Sequence, residues 1–364
     1  MRVVLLVTDL ERGGTPLRLA ATARGLRQAG VEVCVGCLGP RGPVSDDLAA
    51  DGIATFACGA RSAWDVSALW RLRSELRERR PDLIHATLFH ANVAARLVGR
   101  TIGIPVLTSS ATIEVERRRH PRIERLTAGL SRGHIVNGES LAEHARRDLG
   151  IPSERVHLVP PLVEPITNEP TEREAARREF GVPANAFVVA WIGRLDPVKR
   201  VDLAIHAVED LADESAYLLI AGDGAERGRL KSLAEHSPVT DRIRMLGWIA
   251  DPGRLLRAAD VLLFPSLTEG MPNVVLQAMA HGAVVVGSAI PALQDLSGRE
   301  GRLVLVDSAA SADYAEALGA LRSDPQRAEG LARRAQAWVR EYCDPRASIE
   351  ALLAVYRETL AMGA

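Results

Sequence analysis

The sequence predicts a parallel α/β fold built from two doubly wound, Rossmann-like domains that face each other across a cleft. Short apolar segments alternate with longer helical patterns along the whole chain, which is typical of parallel sheets covered by helices. These segments form two sets of about six, and the stretch PPLVEPITNEPT between them carries four prolines and no hydrophobic periodicity. We therefore expect an N-terminal domain over 1–163, a linker over 164–180 and a C-terminal domain over 181–345.

In the N-terminal domain, runs of apolar and β-branched residues predict six strands. The first helix, in TPLRLAATARGLRQAG, can be capped by Thr15, accepts Pro16 at its first position and ends at Gly30. The strands are expected at 3–8, 31–37, 83–87, 105–110, 134–138 and 156–160.

The C-terminal domain repeats this pattern, beginning with the fully apolar run FVVAWIG. The last stretch, ASIEALLAVYRETLA, is amphipathic and predicts a helix over about 346–361. The strands of this domain are expected at 187–193, 217–222, 243–248, 261–266, 283–288 and 302–306.

Composition excludes several classes of protein. A chain of 364 residues is long for a single core, and 47% hydrophobic with 25% charged residues is typical of a soluble globular protein. The net charge of −1 argues against a nucleic-acid binder. No apolar run approaches the roughly 20 residues of a membrane span, and the N-terminus resembles a first strand more than a signal peptide. The sequence therefore predicts a cytoplasmic protein.

The four cysteines give no sign of a metal or redox site. Cys34 and Cys37 form a CVGC motif, but no second pair of cysteines or histidines accompanies it. The motif also lies in a predicted strand, whereas a redox CxxC normally begins a helix. We expect these residues to be buried small hydrophobes, and we expect no metal.

Four loops at the carboxyl ends of predicted strands are candidates for ligand binding, because doubly wound folds bind ligands there. The first, TDLERGGTPLRLA, has Gly13 and Gly14 before a helix, where backbone N–H groups can meet an anion. It lacks the GxGxxG spacing of a dinucleotide site, and a plain tight turn is the alternative. The second, AGDGAERG, makes a sharp turn at Gly222 that could line a nucleotide pocket.

The third loop, WIGRLDPVKR, follows a strand that ends at Gly193. Arg194 and Lys199 then flank a turn five residues apart. Two fixed cations suit a diphosphate leaving group, which gains negative charge as its bond breaks. The alternative is a solvated charged turn.

The fourth loop, PSLTEGMPNVVLQAMAHG, carries a lone carboxylate, Glu269, before a helix. The first N–H groups of that helix, from about Met271 to Val275, can hold phosphate oxygens. A carboxylate beside a phosphate site repels its ligand unless it accepts hydrogen bonds from hydroxyl groups, which a sugar offers. Gln277 lies one to two turns further along and can still reach the same ligand.

Together these loops resemble the retaining GT-B glycosyltransferases of family 4, which use nucleotide-sugar donors, and the resemblance covers nearly the whole chain. It implies that GRLDPVKRVD grips the donor diphosphate through Arg194 and Lys199, and that EGMPNVVLQAM matches an E-x7-E motif whose first acid, Glu269, holds the transferred sugar. It implies catalytic roles for these three residues, and a C-terminal helix that packs back on the N-terminal domain. The donor-binding residues expected are Gly14, Gly193, Arg194, Lys199, Gly222, Glu269, Gly270, Met271, Pro272, Asn273 and Gln277.

The same resemblance implies that no cofactor is needed beyond the nucleotide-sugar co-substrate, with a UDP-sugar favoured and a GDP-sugar as the alternative. The acceptor is expected to be a glycan, a lipid-linked sugar or a small molecule, as in polysaccharide or glycolipid synthesis. The departing diphosphate oxygen would deprotonate the incoming hydroxyl, so that the configuration of the sugar is retained.

Three departures from the family pattern concern substrate choice. Gln277 stands where the second acid normally holds ribose hydroxyls, so an acceptor oxygen is kept and the charge is lost. Many members have a histidine in the loop after PVLTSS, whereas this chain has Ala111-Thr112-Ile113-Glu114 there, and Pro160-Pro161-Leu162 stands at the hinge in place of the usual PNG. These departures keep two alternatives open: a non-catalytic GT-B subunit that supports a partner enzyme, and a GT-B sugar-nucleotide epimerase.

On the acceptor side, His85 ends a strand and His90 follows it, so either could face the acceptor, although a structural role is the alternative for each. Arg117 lies in the basic run EVERRRHPRIER (114–125); a second basic run covers 71–80. These runs either form solvated helix faces or meet a lipid phosphate or the inner face of an anionic membrane.

Overall fold

The protein is described here by a computed structural model that covers residues 1–62, 65–113, 120–164, 166 and 170–362. The chain divides into two compact units. Unit 1 comprises Met1–Leu162 together with Cys343–Ala364, and unit 2 comprises Val163–Tyr342. Both units consist of a parallel sheet with helices, which confirms the predicted doubly wound α/β class.

Unit 1 contains a seven-stranded parallel sheet in the order β3-β2-β1-β4-β5-β6-β7. Six strands were predicted; the seventh is the short β3, in which only Phe56 is buried. The elements are β1 (Arg2–Val7), α1 (Gly14–Gln28), β2 (Glu32–Cys37), α2 (Pro43–Ala50), β3 (Ala54–Ala57), α3 (Val66–Arg79), β4 (Leu83–Thr87), α4 (Phe89–Ile102), β5 (Val106–Ser109), α5 (His120–Thr127), β6 (Gly133–Val136), α6 (Glu139–Arg147) and β7 (Val156–Leu158).

Unit 2 contains a six-stranded parallel sheet in the order β10-β9-β8-β11-β12-β13. Its strands lie where the sequence predicts them, with ends that differ by one or two residues. The elements are α7 (Pro170–Glu179), β8 (Phe187–Ile192), α8 (Val201–Asp210), β9 (Ala216–Ala221), α9 (Arg227–Glu235), β10 (Ile243–Gly247), α10 (Pro252–Ala258), β11 (Val261–Phe264), α11 (Asn273–His281), β12 (Val284–Ser288), α12 (Pro291–Ser297), β13 (Val304–Val306), α13 (Ser311–Ser323) and α14 (Pro325–Tyr342).

The segment 164–180, expected to be a linker, contains α7 and belongs to unit 2. The structure thus has a helix over Pro170–Glu179, where the sequence predicted a linker. Two arginines on α7 hold it: Arg173 and Arg177 contact the carboxylate of Asp260 at 2.5 and 2.9 Å. The buried Arg177 also donates to the backbone oxygen of Ala258 at 3.1 Å, so arginine contacts hold this polar helix in place together with the buried Ala176.

The final helix, α15 (Pro345–Ala361), belongs to unit 1 and forms part of its core. Leu352 and Tyr356 pack with Leu5 of β1 and Leu26 of α1 on one face of the sheet. The opposite face is covered by α3 and α4, because successive residues of a strand point to opposite sides. Among the described residues, no helix is long and apolar enough to cross a membrane.

Strand order reverses once in each sheet. In unit 1 the chain moves outward from β1 through β2 to β3, and then in the other direction from β4 to β7. In unit 2 the reversal lies between β8 and β11. At such a switch point the two connecting loops leave in opposite directions and open a crevice above the strand ends, which is where doubly wound sheets bind ligands.

Candidate functional site

The loops that follow β8 and β9 are joined backbone to backbone in unit 2. The N–H of Gly193 donates to the oxygen of Ala221 at 3.0 Å, and the N–H of Leu195 donates to the oxygen of Asp223 at 2.9 Å. Gly222 has a φ of 144°, and a Cβ atom built there would lie 1.8 Å from the oxygen of Gly193. Only glycine therefore permits this approach.

Lys199 and Glu269 meet at the switch point between β8 and β11. The Nζ atom of Lys199 contacts Oε1 of Glu269, and the two side chains are only 19% and 10% exposed. The N–H of Leu267 donates to the oxygen of Val198 at 2.9 Å, which joins the two loops that carry the pair. The same ammonium lies 6.0 Å from the ring centroid of Phe264. Two residues of the expected catalytic set are thus in direct contact.

Arg194 lies on the surface of unit 2. Its side chain is 74% exposed, and its Nε contacts Oδ2 of Asp196 at 2.5 Å. The sequence grouped Arg194 with Lys199 as a pair of cations, but each has a different acidic partner in the structure. A guanidinium is more weakly hydrated than an ammonium, so the exposed Arg194 side chain can turn to a ligand with a small penalty for desolvation.

Helix α11 begins at Asn273, immediately after the loop that carries Glu269. Gly270, Met271 and Pro272 before it are buried, and Pro272 provides no side-chain cap. The N-terminal end of a helix carries partial positive charge and can meet an anion. Asn273 and Gln277 are both half-buried and one helical turn apart, so they lie on the same face of α11.

Ser266 is a residue of this region that the sequence did not single out. It follows β11 and is fully buried, and its Oγ makes no hydrogen bond to another described atom. A buried hydroxyl normally has a partner, so Ser266 is an additional candidate for ligand contact. The sequence signal that could have identified Ser266 is its position, two residues after an apolar strand.

In unit 1, a cavity of about 80 Å³ lies at the switch point between β1 and β4. Helix α1 begins at Gly14, two residues before the expected start, with Gly13 and not Thr15 at its N-cap, and it contributes Thr15, Arg18 and Thr22 to the wall of the cavity. Arg18 donates from Nη1 to Oδ1 of Asn137 at 3.0 Å. The sequence drew attention to the glycines and missed Arg18, although four residues after Gly14 is the helical spacing that puts two residues on one face.

His85 lines this cavity and is otherwise buried. Its Nδ1 lies 2.7 Å from the hydroxyl of Tyr356 on α15, and its Nε2 lies 3.2 Å from Oγ of Ser109. Burial lowers the pKa of His85 to about 4, so the ring is neutral at neutral pH. The contacts tie the final helix to the sheet.

His90 lies in an aromatic cluster at the start of α4. The rings of Phe89 and His120 stack with centroids 3.6 Å apart, and His90 packs edge-on against both. The preceding residue, Leu88, has a φ of 77° and a ψ of 153°, a conformation that L side chains rarely adopt. The third candidate, Arg117, lies outside the described residues.

Among the described residues, no group of three or more His, Cys, Asp or Glu side chains is arranged to hold a metal ion. Cys34, Cys37 and Cys58 are free thiols, and burial raises the pKa of each, to about 11 for the first two. These thiols are therefore protonated at neutral pH.

Two family models match the chain. One, described as Glycosyl transferases group 1, matches residues 186–324, and the other, described as Glycosyl transferase 4-like domain, matches residues 13–161. The chain is a glycosyltransferase of family 4. The resemblance that the loops indicated is therefore confirmed for the family.

Similar proteins support this assignment. This glycosyltransferase is 28% identical over 308 residues to 2-deoxystreptamine glucosyltransferase from Streptomyces kanamyceticus, an alignment that covers 78% of this chain and 79% of the relative. It is 28% identical to D-inositol 3-phosphate glycosyltransferase 1 from Catenulispora acidiphila over 97% of this chain and 92% of that one. Anabaena Alr3699/HepE, solved in complex with UDP and glucose, has a TM-score of 0.86 and 20% identity, over 98% and 100% of the chains. This likeness shows the GT-B fold.

Proposed function

We propose that this glycosyltransferase takes a sugar from a nucleoside-diphosphate donor bound by unit 2 and transfers it, with retention of configuration, to an acceptor hydroxyl bound by unit 1. The observation that carries the proposal is the contact between Lys199 and Glu269 beside the start of α11. It brings a cation suited to phosphate and a carboxylate suited to sugar hydroxyls to one end of the sheet.

In the proposed reaction, the bond between the anomeric carbon and the diphosphate oxygen breaks while a bond to the acceptor oxygen forms on the same face of the sugar. The proton of the acceptor hydroxyl passes to the departing diphosphate oxygen. Lys199 and Arg194 stabilise the negative charge that develops on the diphosphate. Glu269 accepts hydrogen bonds from sugar hydroxyls and thereby orients the anomeric carbon.

We further propose that the donor is a UDP-sugar, with a GDP-sugar as the alternative. UDP is supported by analogy with Alr3699/HepE, which was solved with UDP and with UDP-glucose. Asn273 and Gln277 share one face of α11 and can supply amide groups to ribose hydroxyls. No cofactor beyond this co-substrate enters the proposed reaction.

The test is donor turnover by the purified protein. The protein is incubated with UDP-glucose, UDP-N-acetylglucosamine, UDP-galactose and GDP-mannose, and release of the free nucleotide is measured, with and without candidate acceptors. We expect UDP release from at least one UDP-sugar, and NMR of the product should show the anomeric configuration of the donor. An inverted product would overturn the retaining mechanism.

The acceptor is proposed to be a small molecule, a glycan or a lipid-linked sugar. The named relatives act on small cyclitol-type acceptors that differ in charge, 2-deoxystreptamine and D-inositol 3-phosphate. The family match favours transfer over the epimerase alternative. If the protein instead supports a partner enzyme without catalysis, it should bind UDP and release none from any donor, alone or with acceptors.

We propose that the protein works in the cytoplasm and that unit 1 contacts the inner face of an anionic membrane through α3, α4 and α5, which pack side by side. Trp70, Leu97 and Leu126 are exposed on these helices, together with the exposed cations Arg77 and Arg125. Exposed apolar side chains among cations suit an anionic lipid surface. The ion pair between Arg79 and Glu75 on α3 reduces this charge only locally.

Sedimentation with vesicles tests this contact. We expect the protein to bind vesicles that contain phosphatidylglycerol and to be released by salt. Trp70→Ser should weaken binding several-fold, whereas Trp248→Ser, which changes an exposed tryptophan of unit 2, should not. Equal binding by both variants, or equal binding to neutral vesicles, would contradict the proposal.

A further inference from the structure

We propose that Ser266 is a positioning residue of the donor site, and that its hydroxyl donates a hydrogen bond to the carboxylate of Glu269 when the ammonium of Lys199 turns to the donor diphosphate. The proposal rests on the proposed function, which assigns Lys199 to the diphosphate and Glu269 to the sugar. It adds a residue to the site and gives the carboxylate a partner that stays in place while the donor binds.

The hydroxyl of Ser266 differs from those of the other buried serines of unit 2. Ser266 is 0% exposed, and its Oγ makes no hydrogen bond to another atom of the described residues. By contrast, Ser237 accepts from the N–H of Val239 at 3.2 Å, and Ser297 accepts from the N–H of Leu303 at 3.5 Å. A buried hydroxyl without a partner costs stability, so its presence in a loop of the candidate site points to a function.

Ser266 and Glu269 lie three residues apart in the loop between β11 and α11. The side chain of Glu269 is only 10% exposed, so both groups are largely removed from solvent. Between them, the N–H of Leu267 donates to the oxygen of Val198 at 2.9 Å. This bond holds the part of the loop that carries Ser266 against the residue that precedes Lys199. Ser266 therefore belongs to the loop of the carboxylate and lies beside the segment of the cation.

The charges of the pair explain why the carboxylate needs a second donor. While Lys199 contacts Glu269, the carboxylate has a counter-charge. A diphosphate carries more negative charge than a carboxylate and attracts the same ammonium. A largely buried carboxylate that loses this partner is costly unless another donor replaces it. The hydroxyl of Ser266 is such a donor, and its bond would also restrict the orientation of the carboxylate toward the sugar.

The first test is made without ligand. Lys199→Met removes the ammonium and keeps an apolar side chain of similar length, so it leaves Glu269 as donor binding is proposed to leave it. Ser266→Ala is made in the wild type and in Lys199→Met, and thermal unfolding midpoints are compared. Ser237→Ala is the matched control, since it removes a buried serine hydroxyl that has a partner.

We expect the effect of Ser266→Ala on the midpoint to change sign between the two backgrounds. In the wild type the hydroxyl has no hydrogen bond to lose, so the midpoint should stay equal or rise. In Lys199→Met the hydroxyl donates to Glu269, so its removal should lower the midpoint by roughly 2–4 °C, the shift expected for one hydrogen bond in a unit of this size. Ser237→Ala should lower the midpoint in both backgrounds.

A second variant is available if either change prevents folding. Ser266→Cys keeps the size of the side chain and has only a weak S–H donor, so it replaces Ser266→Ala. Lys199→Ala replaces Lys199→Met, because it also removes the ammonium.

The second test is calorimetric titration with UDP, which separates action through Glu269 from direct contact with the nucleotide. Bound UDP is proposed to draw Lys199 away from Glu269, so Ser266→Ala should raise the dissociation constant of UDP about three- to tenfold. In the Glu269→Ala background there is no carboxylate to hold. There Ser266→Ala should leave the dissociation constant within about twofold.

The inference is overturned if Ser266→Ala shifts the midpoint alike in both backgrounds, or if it leaves UDP binding to the otherwise wild-type protein unchanged. Equal weakening of UDP binding with and without the Glu269 carboxylate also overturns it, and would mean that Ser266 contacts the nucleotide directly. Failure of the proposed function has a different signature. The wild type would then bind no UDP and turn over no donor, whereas the change of sign measured without ligand would remain.

Discussion

The contact between Lys199 and Glu269 predicts that mutations of the two residues affect nucleotide binding and sugar transfer differently. The changes are Glu269→Ala and Lys199→Ala, and the chain supplies a matched control for each. Its only other lysine, Lys231, pairs with Glu235 on the surface of α9 at 3.7 Å, and both side chains are exposed. Lys231→Ala and Glu235→Ala therefore remove the same groups from a solvated pair.

The carboxylate of Glu269 contacts the ammonium of Lys199, which is the group proposed to bind phosphate. Glu269→Ala removes this competitor. A hydrogen bond between charged groups contributes about 1.5–3 kcal/mol, and only part of it is recovered by a ligand. Free UDP should therefore bind Glu269→Ala with an affinity between equal and about tenfold tighter, since tenfold is about 1.4 kcal/mol. Sugar transfer should nevertheless fall by about 10²-fold or more, because the contacts to the sugar are lost.

Lys199→Ala should have the opposite effect on nucleotide binding. UDP loses its contact with the Lys199 ammonium, so its dissociation constant should rise about tenfold or more. The carboxylate of Glu269, which is 10% exposed, loses its partner, so the free energy of unfolding should fall by about 1–3 kcal/mol. In the double variant no unpaired charge remains, and part of this stability should return.

Calorimetric titration with UDP, urea unfolding and donor turnover are measured for the two variants, the double variant and the two controls. The controls should stay within about threefold of wild type in affinity and rate. Our assignment is refuted if Glu269→Ala weakens UDP binding more than tenfold, or if Lys199→Ala leaves it unchanged. The first result would mean that Glu269 contributes to binding of the nucleotide itself, and the second that Lys199 does not contact the diphosphate.

Three further predictions follow from the described residues. Gln277→Ala should weaken UDP binding by about 1–2 kcal/mol in calorimetry. Gln277→Glu should bind UDP as tightly as wild type or more tightly, because a carboxylate accepts hydrogen bonds from ribose hydroxyls better than an amide does. Unchanged UDP binding by Gln277→Ala would contradict this assignment. Arg194→Ala should lower turnover by about 10²-fold and leave the free energy of unfolding within about 0.5 kcal/mol, since the side chain is exposed; turnover near wild type would remove Arg194 from the site. Burial lowers the pKa of His85 and His281 to about 4 and that of His134 to about 3, so below pH 6.5 or about that value the unfolded chain binds protons that the folded chain does not. Urea titrations should therefore show the free energy of unfolding falling from about pH 7 to about pH 5.5. A flat profile would contradict these pKa values.

Most of the fold was predictable because its strands are local features of the sequence. Twelve of the thirteen strands in the described part of the chain coincide with apolar runs, and central strands such as β1, β8 and β11 are apolar because a parallel sheet buries both of their faces. The exception, β3, has four residues of which one is buried, so its apolar signal is too short to detect. The helix α7 was missed because its stability comes from Arg173 and Arg177 with Asp260, a partner more than 80 residues away.

Residues of the candidate site could be predicted where the sequence of a single loop indicates their chemistry. The sequence identified Lys199 and Glu269 separately, but not their contact across 70 positions of the chain. It left open whether His85 faces the acceptor or is structural, and could not show that Tyr356, 271 positions later, would hydrogen-bond to the ring. Spacing along a chain determines which side chains share an element, whereas these contacts depend on which elements become neighbours.

Strand order determines which loops become neighbours and form the two candidate sites. In unit 2 the sheet places β9, β8 and β11 side by side. The loops that carry Gly222, Lys199 and Glu269 therefore follow the carboxyl ends of neighbouring parallel strands. In unit 1 the neighbours β1 and β4 bring α1, with Arg18, beside His85 in the same way. Neither adjacency follows from the apolar runs, because β9 and β11 are separated in sequence by a strand that lies elsewhere in the sheet. The reversal of strand order therefore places a crevice at the strand ends of each unit, which is why a cation and a carboxylate from distant loops come into contact in unit 2.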